Sequence, residues 1–262
     1  MTEHEIGNTL QEDTMSLIVT VYVPEGIVMA SDSRQSLTVE GKTSDGKGFK
    51  VETVNSDAVT KTFLLEDQQV GISNFGEDFL DGVPIASYMK TFVEEELVAV
   101  DDVTRIAEKL VRYFRKSHAE ADAGFHVAGY RKEAKASIPY FYHCHVGRDA
   151  VERRNAKPDG SLSYGATWSG QIDVITSIIN AVVIKDEKGQ DKVIRAPAPI
   201  IWGAMTLQDA IDFSIYAIRT TIDTMRFQAR PKNVGGPIDV LLLTPDTGPR
   251  WIQRKGYRGE RV

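Results

Sequence analysis

Three stretches carry residue types that could do chemistry. In the first, Ser31-Asp32-Ser33-Arg34 follows directly on the apolar residues 27–30. An Asp and an Arg at the end of a buried strand form either a paired structural corner, the commoner outcome, or part of a site. In the second, His143 and His145 flank Cys144 within 138–146. A strand repeats every two residues, so both imidazoles share one face and could ligate a metal. No third ligand is in view, and histidines on a strand surface are the reading that needs no metal. Cys144 points the other way and reads as a small buried hydrophobe. In the third, Gly41-Lys42-Thr43 is similar to the end of a phosphate-binding loop, but Ser36 stands where that loop needs Gly. No strand-to-helix transition surrounds it either, so a phosphate site is not expected.

The elements that must position these residues follow from periodicity and punctuation. Residues 17–23 and 27–30 are apolar, and Pro24-Glu25-Gly26 between them is turn chemistry. They predict a β-hairpin with both strands buried on two faces. Residues 35–58, rich in Gly, Ser, Thr and Asp, read as a loop or a loose hairpin, and 59–65 and 70–73 as two strands. Helices are expected over 77–97, with Leu80, Val83, Ser87 and Phe92 near one face, and over 101–120. In the latter, Val103, Ile106, Leu110, Tyr113 and Phe114 recur at helical spacing. Strands return at 124–131 and 138–146, then a charged loop over 147–160 and a short strand and turn over 161–170. A helix over 172–183 and a charged loop over 185–199 precede the longest helix. There Thr206 is the N-cap, Asp209 sits at the capping-box position, and Pro231 is the stop. Ile211, Ile215, Ile218, Ile222 and Met225 mark its core face.

Composition bounds the class. With 262 residues, 42% hydrophobic and 26% charged, the chain suits a single layered α+β domain. A formal charge of −6 argues against a nucleic-acid footprint. One cysteine leaves no internal disulfide and no Cys-rich zinc framework, which fits the reducing cytoplasm. No apolar run reaches the length of a membrane span, so no membrane partner is expected. Residues 1–15 are polar and acidic, unlike a signal peptide. They read as a tail or propeptide ahead of one domain over 16–254, with a short tail over 255–262.

Several of these residues belong to a longer pattern. Ser16 opens the first strand, Gly26 centres the turn, and Ala30-Ser31-Asp32-Ser33-Arg34 forms the corner. Lys61 begins a later strand, and Ser73-Asn74-Phe75-Gly76-Glu77-Asp78 leads towards a helix. Near the end, Gly235-Gly236-Pro237-Ile238-Asp239-Val240 enters a strand, and Thr244-Pro245-Asp246 turns towards a last short strand over 249–253. Together these motifs resemble proteasome β-type subunits and their divergent bacterial relatives, in the N-terminal-nucleophile (Ntn) hydrolase superfamily. The resemblance spans residues 16–254, with the strong motifs at its two ends. It implies an α+β, four-layer αββα sandwich: two packed, mostly antiparallel sheets between helix pairs. The expected order of strands, two helices, strands, two helices, strands suits that arrangement.

The same resemblance implies a mechanism. Ser16 takes the place of the family's Thr nucleophile, whose free α-amine serves as its base. Lys61 depresses the amine's basicity and aids proton transfer, Asp32 holds Lys61 charged and in place, and the amide of Asn74 helps take the oxyanion. Ser169 corresponds to a Ser that assists the nucleophile; from the residues alone a turn or helix N-cap serine is as good a reading. The implied activity is peptide-bond hydrolysis on a peptide or protein substrate, without cofactor or metal, in a ring or helical homo-oligomer. Three features depart from the family. Ser16 is not N-terminal, so residues 1–15 must be cut away, or translation must begin at Met15. Ser replaces Thr. Pro231 and Val234 stand where the family has an Asp and a Ser that orient the amine, with Asn233 as a partial substitute. The alternative is a catalytically inactive, proteasome-like protein serving as an assembly or binding scaffold.

Overall fold

The computed structural model describes residues 9–11, 16–43, 45–185, 188–195 and 197–256. In chain order its first strands are β1 (Thr9–Gln11), β2 (Leu17–Val23), β3 (Gly26–Ser31), β4 (Gln35–Lys42), β5 (Gly48–Ser56), β6 (Thr62–Leu65) and β7 (Val70–Gly76). A short hairpin of β8 (Phe79–Leu80) and β9 (Val83–Pro84) leads into α1 (Ile85–Glu96) and α2 (Val103–Arg115). Then come β10 (Ala123–Glu133), β11 (Ala136–His145), β12 (Ala150–Arg153), β13 (Gly165–Gly170) and α3 (Asp173–Ile179). The hairpin of β14 (Val182–Lys185) and β15 (Asp191–Arg195), the long helix α4 (Leu207–Phe227), β16 (Asp239–Thr244) and β17 (Gly248–Gln253) complete the chain. The architecture is mixed α+β. Among the described residues no helix is long and apolar enough to cross a membrane.

Two five-stranded antiparallel sheets carry the site. One has the order β12-β11-β10-β7-β6, the other β13-β2-β3-β16-β17. Period-two alternation divides each strand between two faces. In β2, Leu17, Val19, Val21 and Val23 pack with α3 and α4, through Ile175, Ile211 and Ile218 among others. In β10, Phe125 and Val127 pack with α1 and α2, through Phe92, Ile106 and Phe114. The opposite faces meet each other: Tyr22, Ile27, Met29, Leu241 and Leu243 of one sheet contact Ala128 and Phe141 of the other. The ring centroids of Tyr22 and Phe141 are 5.3 Å apart. The apolar strands are thus covered on both faces, as their composition requires.

Several expected elements differ in extent. The first helix starts at Ile85, not near residue 77, because Asp81 and Gly82 hold positive φ (50° and 75°) and Pro84 is the N-cap. Its buried face is therefore Ile85, Met89 and Phe92. The third helix ends at Ile179, since the β-branched residues beyond it enter β14. The charged stretches 147–160 and 185–199 contain β12 and β15, and 35–58 is a long hairpin, β4 and β5. Gly41-Lys42-Thr43 sits at the tip of that hairpin, so it is no phosphate loop. The longest helix is as expected, with both hydrogen bonds of the Thr206/Asp209 capping box present.

Phe125 tests the helix-covered layer, because it is fully buried and its ring lies 5.0 Å from that of Phe114. Phe125→Ala is expected to lower unfolding stability by about 3–5 kcal/mol, measured by urea denaturation. A loss below about 1 kcal/mol would mean that this layer is not close-packed.

Candidate active site

Lys61 is fully buried and is the one charged side chain among the large fully buried ones of the described residues. An ammonium there needs partners, and it has three oxygens. Its Nζ donates to Asp32 Oδ1 at 3.0 Å and to the Arg34 carbonyl, and lies 3.9 Å from Asp78 Oδ2. Asp32 is held by more than Lys61. Its Oδ1 also accepts from Leu17 N at 3.0 Å, and its Oδ2 from Arg34 N at 3.1 Å and Gly235 N at 3.0 Å. A Cβ on Gly235 would lie 2.4 Å from the Arg34 guanidinium, so any side chain there would have to displace Arg34. Arg34 does not pair with Asp32. It forms a two-pronged bridge to Asp57, 2.6 and 2.9 Å, and donates to the Lys232 carbonyl. The carboxylate of this corner thus serves the lysine, and the guanidinium serves a neighbouring loop.

Ser16 sits beside this centre and is fully buried. Leu17, the next residue, shares Asp32 Oδ1 with Lys61. The Ser16 carbonyl accepts from Gln171 N at 2.7 Å. That close approach demands Gly170, whose φ is +94° and whose Cβ, if present, would lie 1.7 Å from the Ser16 oxygen. Among the described residues Ser16 Oγ lies against Asp78 but makes no well-formed hydrogen bond, and Ser33 Oγ, Asn74 Oδ1 and Asn233 Oδ1 have no partner. Buried polar atoms left unpaired in one neighbourhood are unusual.

Three expected residues, Ser16, Asp32 and Lys61, are therefore gathered. The other two are engaged differently. The Asn74 amide, expected at the oxyanion, donates to the Lys61 carbonyl at 2.8 Å, as a continuation of the β6–β7 ladder. The Asn74 side chain instead donates to Asp78 Oδ1 at 2.9 Å. Ser169 lies in β13, not at a helix N-cap, which is Ile172. Its Oγ is 3.0 Å from His126 Nε2, and His126 Nδ1 is 2.9 Å from Thr20 Oγ1. Asn233 is buried and donates to Gln171 Oε1 at 3.3 Å, while Val234 is core. His143 and His145 share a face as expected, but it is the inter-sheet face, where both rings approach Phe75. No group of three or more metal-ligating side chains occurs among the described residues. Cys144 faces the helices, and burial pushes its thiol up.

Asp78 and His126 were not singled out by the sequence. Asp78 had a signal, since it ends the motif running from Ser73. The signal for His126 is weaker: alternation along β10 puts it on the face opposite Phe125. Burial raises the Asp78 carboxyl above its ordinary value, opposed chiefly by the Lys61 charge. Burial pushes His126 well below its ordinary value, with His143 and Arg154 adding to the effect, so its imidazole is neutral.

No family model matches the chain, and no curated protein does. Among solved structures, an Anbu (Gly-1) mutant from Hyphomicrobium sp. strain MC1 is similar to it. The TM-score is 0.57 at 14% identity, over 90% of this chain and 86% of that one. At such identity the likeness concerns the fold alone.

The raised Asp78 carboxyl has a consequence for stability. Between the ordinary carboxylate value of 3.8 and its raised value, the folded state holds more protons on Asp78 than the unfolded state does. Stability from this group therefore falls as pH rises through that window. Asp78→Asn keeps an acceptor for Asn74 and removes the titration. Urea unfolding at successive pH values is expected to show the variant gaining on the wild type as pH rises above the carboxylate range. A difference that stays flat would falsify the assignment.

Proposed function

We propose that the chain is a proteasome-like amide hydrolase of the N-terminal-nucleophile type. The observation that carries this reading is Lys61, buried between Asp32 and Asp78 beside the buried hydroxyl of Ser16, which lies against Asp78. A buried ion cluster of this kind is a weak source of stability compared with apolar packing. Buried titratable clusters are, however, what functional sites are made of. The unpaired oxygens of Asn233 and Ser33 suit a cationic group that arrives only when the chain before Ser16 is removed, namely its α-amine. The helix pairs against the outer face of each sheet, and the likeness to the Anbu structure, support the four-layer αββα sandwich.

In this mechanism the freed α-amine takes the proton of Ser16 Oγ as the oxygen attacks the substrate carbonyl carbon. Lys61, held charged by Asp32, lowers the basicity of that amine and stabilises the negative charge that develops. The C–N bond breaks, the amine returns its proton to the leaving nitrogen, and an ester on Ser16 remains. Water then attacks the ester and restores the hydroxyl. The substrate class is a peptide or protein, and the working form is a homo-oligomer, for which exposed Tyr216 and Phe227 on α4 offer contact surface.

One observation favours a second reading, an inactive scaffold. The Asn74 amide is engaged with the Lys61 carbonyl, so it must leave that bond before it can take an oxyanion.

Intact mass and N-terminal sequencing of protein untagged at its N-terminus separate the two. The hydrolase reading expects a species beginning at Ser16 that cleaves peptides. Ser16→Ala should abolish turnover, and Lys61→Met should lower kcat by about 10²–10⁴-fold. A chain that keeps the residues before Ser16 and cleaves nothing identifies the scaffold.

A further inference from the structure

Thr20, His126 and Ser169 form a hydrogen-bonded chain between the sheets. Thr20 lies in β2, His126 in β10 of the facing sheet, and Ser169 in β13. The imidazole is fixed from its sides as well. Phe141 and Phe75 meet it edge-on, at centroid distances of 5.1 and 5.9 Å, and His143 lies at 5.5 Å. A buried polar ring so tightly framed is costly to install, yet the mechanism above gives it no part.

Hydrogen-bond bookkeeping sets the direction of the chain. A neutral imidazole has one donor nitrogen and one acceptor nitrogen. Thr20 is fully buried, and among the described residues the only hydrogen-bond partner of its side chain is His126 Nδ1. An unsatisfied buried donor is expensive, so the Thr20 hydroxyl proton goes to Nδ1. The ring proton then sits on Nε2 and is donated to Ser169 Oγ, 3.0 Å away. Ser169 accepts from behind and keeps its own proton free. The register pairs Ser169 with Ile18, so Ser169 and Ser16 share one sheet face as diagonal neighbours.

We infer that His126 is a positioning residue, which holds the Ser169 hydroxyl as a hydrogen-bond donor for the Ser16 corner. This rests on the hydrolase reading of that corner. Each bond in Thr20→His126→Ser169 polarises the next, so the chain strengthens the last hydroxyl as a donor. Among the described residues Ser16 Oγ accepts from no donor, and it becomes negatively charged when it gives up its proton.

The test has two arms on the full chain with Ser16 freed. In ¹⁵N-histidine-labelled protein, the signal lost in His126→Gln identifies His126. It is expected to show the proton on Nε2 and to move in Ser169→Ala. In peptide hydrolysis, His126→Phe fills the space without a donor and should lower kcat about tenfold with KM unchanged. His126→Gln keeps a donor where Nε2 stood and should recover most of that loss. In Ser169→Ala, His126→Phe should cost nothing further. A ring proton on Nδ1, or a His126→Phe loss undiminished in Ser169→Ala, overturns the inference. Absence of turnover with Ser16 freed refutes the hydrolase reading instead, and the tautomer and its response to Ser169→Ala still decide whether His126 orients Ser169.

Discussion

The charge on Lys61 is the constraint that most of this structure answers to. A fully desolvated ammonium is tolerated only where carboxylates and carbonyls converge on it. Asp32 comes from the end of β3, in one sheet, and Lys61 from the approach to β6, in the other. Their ion pair is therefore a polar tie between the sheets. Its geometry is fixed by backbone: Leu17, Arg34 and Gly235 all give amides to the same carboxylate. Gly235 precedes β16, so one aspartate ties the approach to that strand to the first hairpin.

The rest of the fold serves to keep that tie dry. The two helix pairs cover the outer faces of the sheets, and Tyr22, Phe141, Met29 and Leu241 seal the space between them. On β2 the inward face changes character along its length. Tyr22 is in the apolar seal, Thr20 is in the hydroxyl–imidazole chain, and Ser16 is at the ion cluster. With Ile18 packed between Thr20 and Ser16 on the same face, one strand thereby carries both packing and chemistry.

Much of this was legible in the sequence. The first hairpin, the two strands after Lys61, the α4 cap and the final strand pair depend on local signals, namely turn residues, alternation and capping. They emerged as expected. The Ser16, Asp32 and Lys61 grouping came from the resemblance, since no spacing rule joins residues so far apart in the chain. What failed failed for tertiary reasons. Residues 77–84 look helical until Asp81 and Gly82 turn the chain, and the strands in charged segments are short edge strands with too little alternation to announce them. The Asn74 amide looked available because a sequence does not say which ladder bond an amide makes. His126 was invisible as a candidate because its partners, Thr20 and Ser169, are brought to it by the packing of one sheet on the other.

The inward face of β2 has a mechanical meaning as well. The sheets are joined by apolar contact at the Tyr22 end and by directional polar bonds at the Ser16 end. Apolar contact resists separation and admits no water, whereas polar bonds can be exchanged one at a time for bonds to solvent. The two facing sheets are thus joined like a clasp, closed at one end and openable at the other, and the soft end is where Ser16 lies.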